Sequence, residues 1–303
     1  MPQTGYTEKQ KQEALAVPPP KPTRLRPTDA PTPVGNLCLM DEQWVPFESL
    51  VATSHRVEKY GGWALADSAL IQIVDALNSG KLPMNGNHDL TKPIRTRDLE
   101  AKLVTLDDGE RAVRLTGMVV QADWEAVGPV GGMSFSTRES IGRAIGLNPD
   151  GDELTLLADA GWFDDQSIGD ASVIISALAP VAGARLYQFS AVDDARVILE
   201  MGFSFVASCG PGLATSAVWD GIKYLLAHRK MSDDGVITST RIELVTDLNA
   251  GTVTGIIDTS NPDAVSQALA TYSEAVAATV GSIALGKQVI VWKEPDQRWV
   301  PPS

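Results

Sequence analysis

Two short segments of this 303-residue chain carry residues whose types and spacing suit covalent chemistry. Asn85-Gly86-Asn87-His88-Asp89 sets one histidine among turn-forming residues. Gly131-Gly132-Met133-Ser134-Phe135-Ser136 sets a serine behind two glycines, 46 positions later (134 − 88 = 46). Imidazole takes a proton near neutral pH, and a serine hydroxyl needs such a base to attack a carbonyl carbon. Ser136 is the alternative nucleophile: two residues on, it shares a strand face with Ser134, and spacing does not separate them. Small residues such as Gly132 let a substrate backbone approach and expose amide donors to a developing oxyanion, with Arg138 as a further aid. Asp159 stands 25 residues beyond Ser134 (159 − 134 = 25), at the end of the apolar run Leu154–Ala158. A carboxylate there costs desolvation unless it is partnered, so it is the candidate third member that orients the imidazole. Asp89 and Glu139 are weaker candidates for that role, being close in sequence to His88 and Ser134. Each residue also has a plain alternative: a satisfied histidine, a half-buried strand serine, a strand-terminal turn aspartate.

The elements that must position these residues are partly legible. Residues 1–34 hold 8 of the 19 prolines and little apolar periodicity, which reads as a disordered or extended tail. Asn36–Phe47 reads as a strand with Trp44 and Phe47 inward. Asp67-Ser68 caps a helix carrying Leu70, Ile71, Val74 and Leu77, and Asn78-Ser79-Gly80 stops it. Leu82–Leu90 runs extended. Leu99–Thr105 and Arg111–Val119 alternate about Asp107-Asp108-Gly109, a hairpin. Asp123–Val127 reads as a helical turn, and Met133–Thr137 and Leu154–Ala158 as strands joined through Asn148-Pro149-Asp150-Gly151.

From Ile168 the chain turns rich in Ala, Gly and Ser. Helical patterning is expected over Val192–Met201 and Leu213–His228, strands over Arg241–Thr246 and Thr252–Ile257, a helix from Pro262 to about Val280, and a strand over Gln288–Trp292. A domain boundary is placed within 165–192. The expected fold is α+β: an antiparallel β-barrel or curved-sheet domain over 35–175 with flanking helices, and a smaller α+β domain over 192–303.

Composition bounds the partners. A net charge of −13 argues against a broad nucleic-acid or anionic-membrane surface. Two cysteines, Cys38 and Cys209, in unlike contexts form no metal-binding pattern, so no metal or cofactor is expected. The polar start shows no secretory signal, and the expected location is cytoplasmic. Met201–Trp219 lacks charge over nearly a membrane-spanning length, yet its Gly, Ser, Thr and Pro content favours a buried helical pair, so a membrane association is not expected.

The order of His88 within GNHDLTKPI, the hairpin LEAKLVTLDDGERAVRLTGMVV, GGMSFST and LTLLADAGWF resembles the prohead (capsid-maturation) proteases of tailed phages, which share a fold and serine chemistry with herpesvirus assemblins. The resemblance spans about residues 36–175. It implies His88 as base, Ser134 as nucleophile and Asp159 at the third, acidic position, with a protein or peptide substrate, possible self-cleavage and a capsid or scaffold partner or a homo-oligomer. Ser136 and Arg95 stand where the family carries glycine, and Asp159 where glutamate is commoner. Two other readings compete. GNHD also occurs in calcineurin-like metallophosphoesterases, but the other ligands of a two-metal centre are missing from the sequence. A non-catalytic binding or assembly module on a protease-like fold is the third, since fold does not fix function.

Overall fold

The computed structural model describes residues 42–80, 85–86, 89–127, 135–145, 153–189, 195–230, 240–248, 251–280 and 286–302. The Pro-rich tail expected over 1–34 lies outside them. In chain order the first region comprises β1 (Trp44–Thr53), α1 (Asp67–Asn78), a ribbon of β2 (Asn85–Gly86) and β3 (Asp89–Pro93), the hairpin β4 (Thr96–Thr105) and β5 (Arg111–Val120), and α2 (Gln121–Val127).

β1, β5 and β4 form a three-stranded antiparallel sheet in that order, with the hairpin closing where Thr105 pairs with Arg111. Gly109 in its turn has φ 89°, a conformation glycine adopts at little cost. Alternation sends Ala101, Val113, Leu115 and Val119 inward against Leu70 and Leu77 of α1 and against Phe47. Asn78, the last residue of α1, accepts from the Ala101 N–H at 2.8 Å and donates to its carbonyl at 3.1 Å. It thereby occupies the outer edge of β4, where backbone groups have no strand partner. Trp44, expected inward, is only half-buried.

The second region adds β6 (Phe135–Ala144), β7 (Leu154–Asp159), α3 (Asp165–Ile175), β8 (Val181–Phe189), β9 (Ala195–Gly202), α4 (Phe203–Cys209), a 3-10 segment (Gly210–Thr215), α5 (Ala217–Ala227), β10 (Thr240–Leu248), β11 (Gly251–Thr259), α6 (Pro262–Val280), β12 (Gly286–Lys293) and β13 (Arg298–Val300). Its eight strands run in the order β13-β12-β11-β10-β9-β7-β8-β6. Leu154, Leu156, Val197, Leu199, Ile242, Leu244, Val253 and Ile257 present one face to helices α3 to α6. The other face carries Leu157, Ala184 and Leu186 together with Arg196, Glu243 and Asp159, all buried.

Three expectations need correction. The described strands form no closed barrel: helices cover one face of an open sheet whose edge strands, β6 and β13, each pair on one side only. The interval 165–192 does not divide the chain, because it holds α3 and β8, and β7 pairs with both β8 and β9. Small residues there serve close packing of α3 on the sheet; a Cβ on Gly183 of β8 would lie 2.9 Å from the Ser172 Oγ of α3. Third, Val192–Met201 is not helical where described, since β9 occupies Ala195–Gly202. Ala195, Val197, Leu199 and Met201 face the helices while Arg196, Ile198 and Glu200 lie on the reverse, and the apolar Ile198 among those charged positions blurs the period of two. The uncharged stretch Met201–Trp219 breaks into the end of β9, α4, the 3-10 segment and the start of α5. Among the described residues no helix is long and apolar enough to cross a membrane.

Candidate functional site

His88, Ser134 and Gly132 lie outside the described residues, and the strands that follow them fix where each segment leads. Asp89, directly after His88, opens β3, which among the described residues pairs only with β2. Phe135, directly after Ser134, opens β6 and pairs with Phe189 of β8. Asp159 ends β7, with β8 between it and β6. β3 thus belongs to a separate ribbon, and β6 and β7 are one strand apart.

Asp159 is fully buried at the end of β7. Its Oδ1 accepts the Gly161 N–H at 2.8 Å, its Oδ2 takes the Lys59 ammonium at 3.2 Å, and the Gln188 side-chain amide donates to the same oxygen. Burial pushes its carboxyl above the ordinary carboxylate range, against the pull of Lys59, the Gly161 N–H and Gln188. Gln188 is gripped in turn by Tyr60, whose hydroxyl donates to its carbonyl at 3.0 Å and accepts its N–H at 2.7 Å. Lys59 and Tyr60 come from the 3-10 turn Glu58–Tyr60, which Gly61 closes at φ 67°. Gly161 has no side chain because the Lys59 stem crosses it; a Cβ there would lie 2.2 Å from Lys59 Cε.

Beside this group an open cleft of about 540 Å³ is lined by Lys59, Tyr60, Asp165, Arg185, Tyr187 and Lys230, among others. It sits beyond the carboxyl end of β7, near the start of α3, a common place for ligands on strands joined through a helix. Its wall is rigid. Arg185 forks onto Asp165, with Nε to Oδ1 at 2.6 Å, and reaches Glu139 at 3.0 Å, while Tyr187 Oη donates to Glu139 at 2.8 Å. Trp63 stacks on Tyr187 at 4.8 Å and Tyr60 meets the same ring edge-on at 5.1 Å. Burial raises the Tyr187 hydroxyl pKa above its ordinary value.

No protein-family model, curated protein or solved structure matches this chain.

The other candidates are placed as follows. Ser136 is exposed on β6 and pairs with Gln188 across the β6–β8 ladder. Arg138, two residues further, donates to Glu200 of β9 at 3.1 Å. Glu139 is occupied by Arg185 and Tyr187. Asp89 accepts the Thr91 N–H at 3.0 Å and the Thr91 hydroxyl at 2.7 Å, and lies 3.4 Å from Arg241 of β10. The remaining histidines have other settings: His55 meets Asp108 at 2.7 Å, and His228 stacks on Tyr224 at 3.9 Å. Among the described residues no group of three or more His, Cys, Asp or Glu side chains is placed to hold a metal ion.

Sequence reasoning missed Lys59, Tyr60 and Gln188. Lys59 lies 100 positions from Asp159 and Tyr60 128 from Gln188, so no local spacing announces them. A signal did exist at Tyr60-Gly61-Gly62: an aromatic before two glycines at positive φ marks a tight turn that projects side chains.

Proposed function

We propose that this chain is a serine endopeptidase in which His88 removes the Ser134 hydroxyl proton as Oγ attacks a peptide carbonyl. The peptide C–N bond then breaks, the leaving amine takes its proton from the imidazolium, and water, with His88 again as base, hydrolyses the ester. Backbone amides about Gly132 and Ser134 would hold the oxyanion. One observation carries the reading beyond motif order. The buried carboxylate that the motif order singles out is tied by Gln188 to the strand that begins directly after Ser134, since Gln188 pairs with Ser136. Asp159 then acts as a positioning residue that ties the end of β7 to β8, the partner of the strand that follows Ser134.

The cleft beside Lys59 and Tyr187 gives room for an extended peptide. It equally favours the second reading, a non-catalytic module that binds a protein partner in the same place. Cleavage of unfolded protein substrates, or of the chain itself, by wild type and Ser134→Ala separates the two. The peptidase reading expects the alanine variant to lose a factor on the order of 10³ or more. Equal rates for both proteins would end it.

A further inference from the structure

Buried charges in the C-terminal half suggest a role for it. Arg241 and Glu243 stand two apart on β10, on the face turned away from the helices, and Arg196 is the register partner of Arg241 on β9. Their side chains are 13%, 4% and 6% exposed. Arg196 lies 3.4 Å from Glu243. Removing such ions from water costs several kcal/mol each, and burial accordingly pushes the Glu243 carboxyl up against the pull of both arginines. A sheet face intended only for packing would carry apolar residues, as Leu157, Ala184 and Leu186 do further along it.

Arg241 has acids on two sides. Asp258, its cross-strand partner on β11, is at 3.3 Å, and Asp89 on β3 is at 3.4 Å. Burial works to lower the Arg241 pKa, and Asp89, Asp258 and Glu243 together more than reverse it, so its charge is secure. Asp258 is pinned within the sheet, whereas β3 is not: among the described residues the β2–β3 ribbon joins no other strand. The far end of the ribbon is fastened by Ile94, which is buried, and by Arg95, which bonds Asp123 at 2.8 Å and also Glu42. The near end is fastened through Asp89.

We propose that Arg241 is a positioning residue for the histidine-bearing segment: from β10 it grips Asp89, the residue adjacent to His88, while Asp258 on β11 holds the other side of its guanidinium. This rests on the peptidase reading, and it makes the C-terminal half part of the active unit and not an appended module. Arginine suits the task because its planar fork spans two carboxylates at once, which a lysine point charge does less well.

The test uses the full chain with ring-labelled histidine, whose three signals are assigned with His→Gln variants. Arg241→Gln should shift the His88 ring signal and leave those of His55 and His228 in place. It should lower kcat tenfold or more with KM changed less than twofold, and Arg241→Lys should recover part of the loss. Asp89→Asn should give the same signature, and the double variant should lose no more than either single one. Melting curves identify any variant that unfolds, and Asp89→Asn, in a short ribbon, keeps the test open if Arg241→Gln does. A His88 signal unmoved by Arg241→Gln and Asp89→Asn overturns the inference. A shifted signal in a protein whose wild type cleaves nothing leaves the contact standing and removes the peptidase reading instead.

Discussion

The two regions solve the same problem, fastening a helix to a sheet, with different chemistry. In the first, Asn78 at the end of α1 pairs with both backbone groups of Ala101 on the edge strand β4. In the second, Tyr272 of α6 reaches through the core, donating to the Leu244 carbonyl at 2.7 Å and meeting the Thr246 hydroxyl at 2.9 Å. The larger sheet is wide enough to bury a phenol completely, and a Cβ on Gly255 would lie only 2.5 Å from that ring. The smaller sheet has an accessible edge and uses it. The regions keep separate apolar cores and meet through polar and aromatic contacts such as Lys59–Asp159, Tyr60–Gln188, Trp63–Tyr187 and Asp89–Arg241.

The largest expected effect tests that separation. Leu199 and Leu115 are both fully buried, one in each core. Leu199→Ala and Leu115→Ala should each cost about 2–5 kcal/mol and shift different steps of the unfolding curve. One common transition moved equally by both would show that the two cores unfold as one.

Tyr272→Phe comes next. It leaves the buried Thr246 hydroxyl short of a partner, and should cost about 1–3 kcal/mol. Asn78→Ala should cost less, about 1 kcal/mol, because water can reach an edge strand. Denaturant midpoints rank the pair, and a larger loss for Asn78→Ala would contradict the buried-versus-edge contrast.

The smallest effect carries a sign. The Asp159 carboxyl is raised by burial, so the neutral acid is favoured in the fold. Its contribution is present below the ordinary carboxylate pKa and is lost as pH rises through the raised value. Asp159→Asn, which cannot ionise, should therefore gain stability relative to wild type as pH rises from about 4 to 8, a window that starts near the ordinary carboxylate range. A gap moving the other way in melting temperature would mean that Lys59 and the Gly161 N–H outweigh burial.

The same contrast decides what the chain reveals before its structure is known. The hairpin β4–β5 was legible because its strands are wet on one face, and α1 because its cap and stop are local. β10, β11, α6 and β12 were also placed close to their observed spans. β8 was missed because residues on both of its faces are largely covered, which weakens alternation, and β9 because the apolar Ile198 interrupts its charged alternate positions. At the site, local order exposed Asp159 as a carboxylate that must be partnered. Its partners, Lys59 and Gln188, are assembled by tertiary contact over 100 and 29 positions and leave no trace in spacing. The Arg241–Asp89 contact is likewise invisible, since it joins segments that read as separate domains.

On the proposed reading Ser134 is the nucleophile. Treating the full chain with a fluorophosphonate probe at neutral pH and mapping the modified peptide by mass spectrometry tests it most directly. The account predicts a single adduct on Ser134, absent from Ser134→Ala and strongly reduced in His88→Gln. An unlabelled chain, or an adduct on Ser136 that survives in Ser134→Ala, would contradict it.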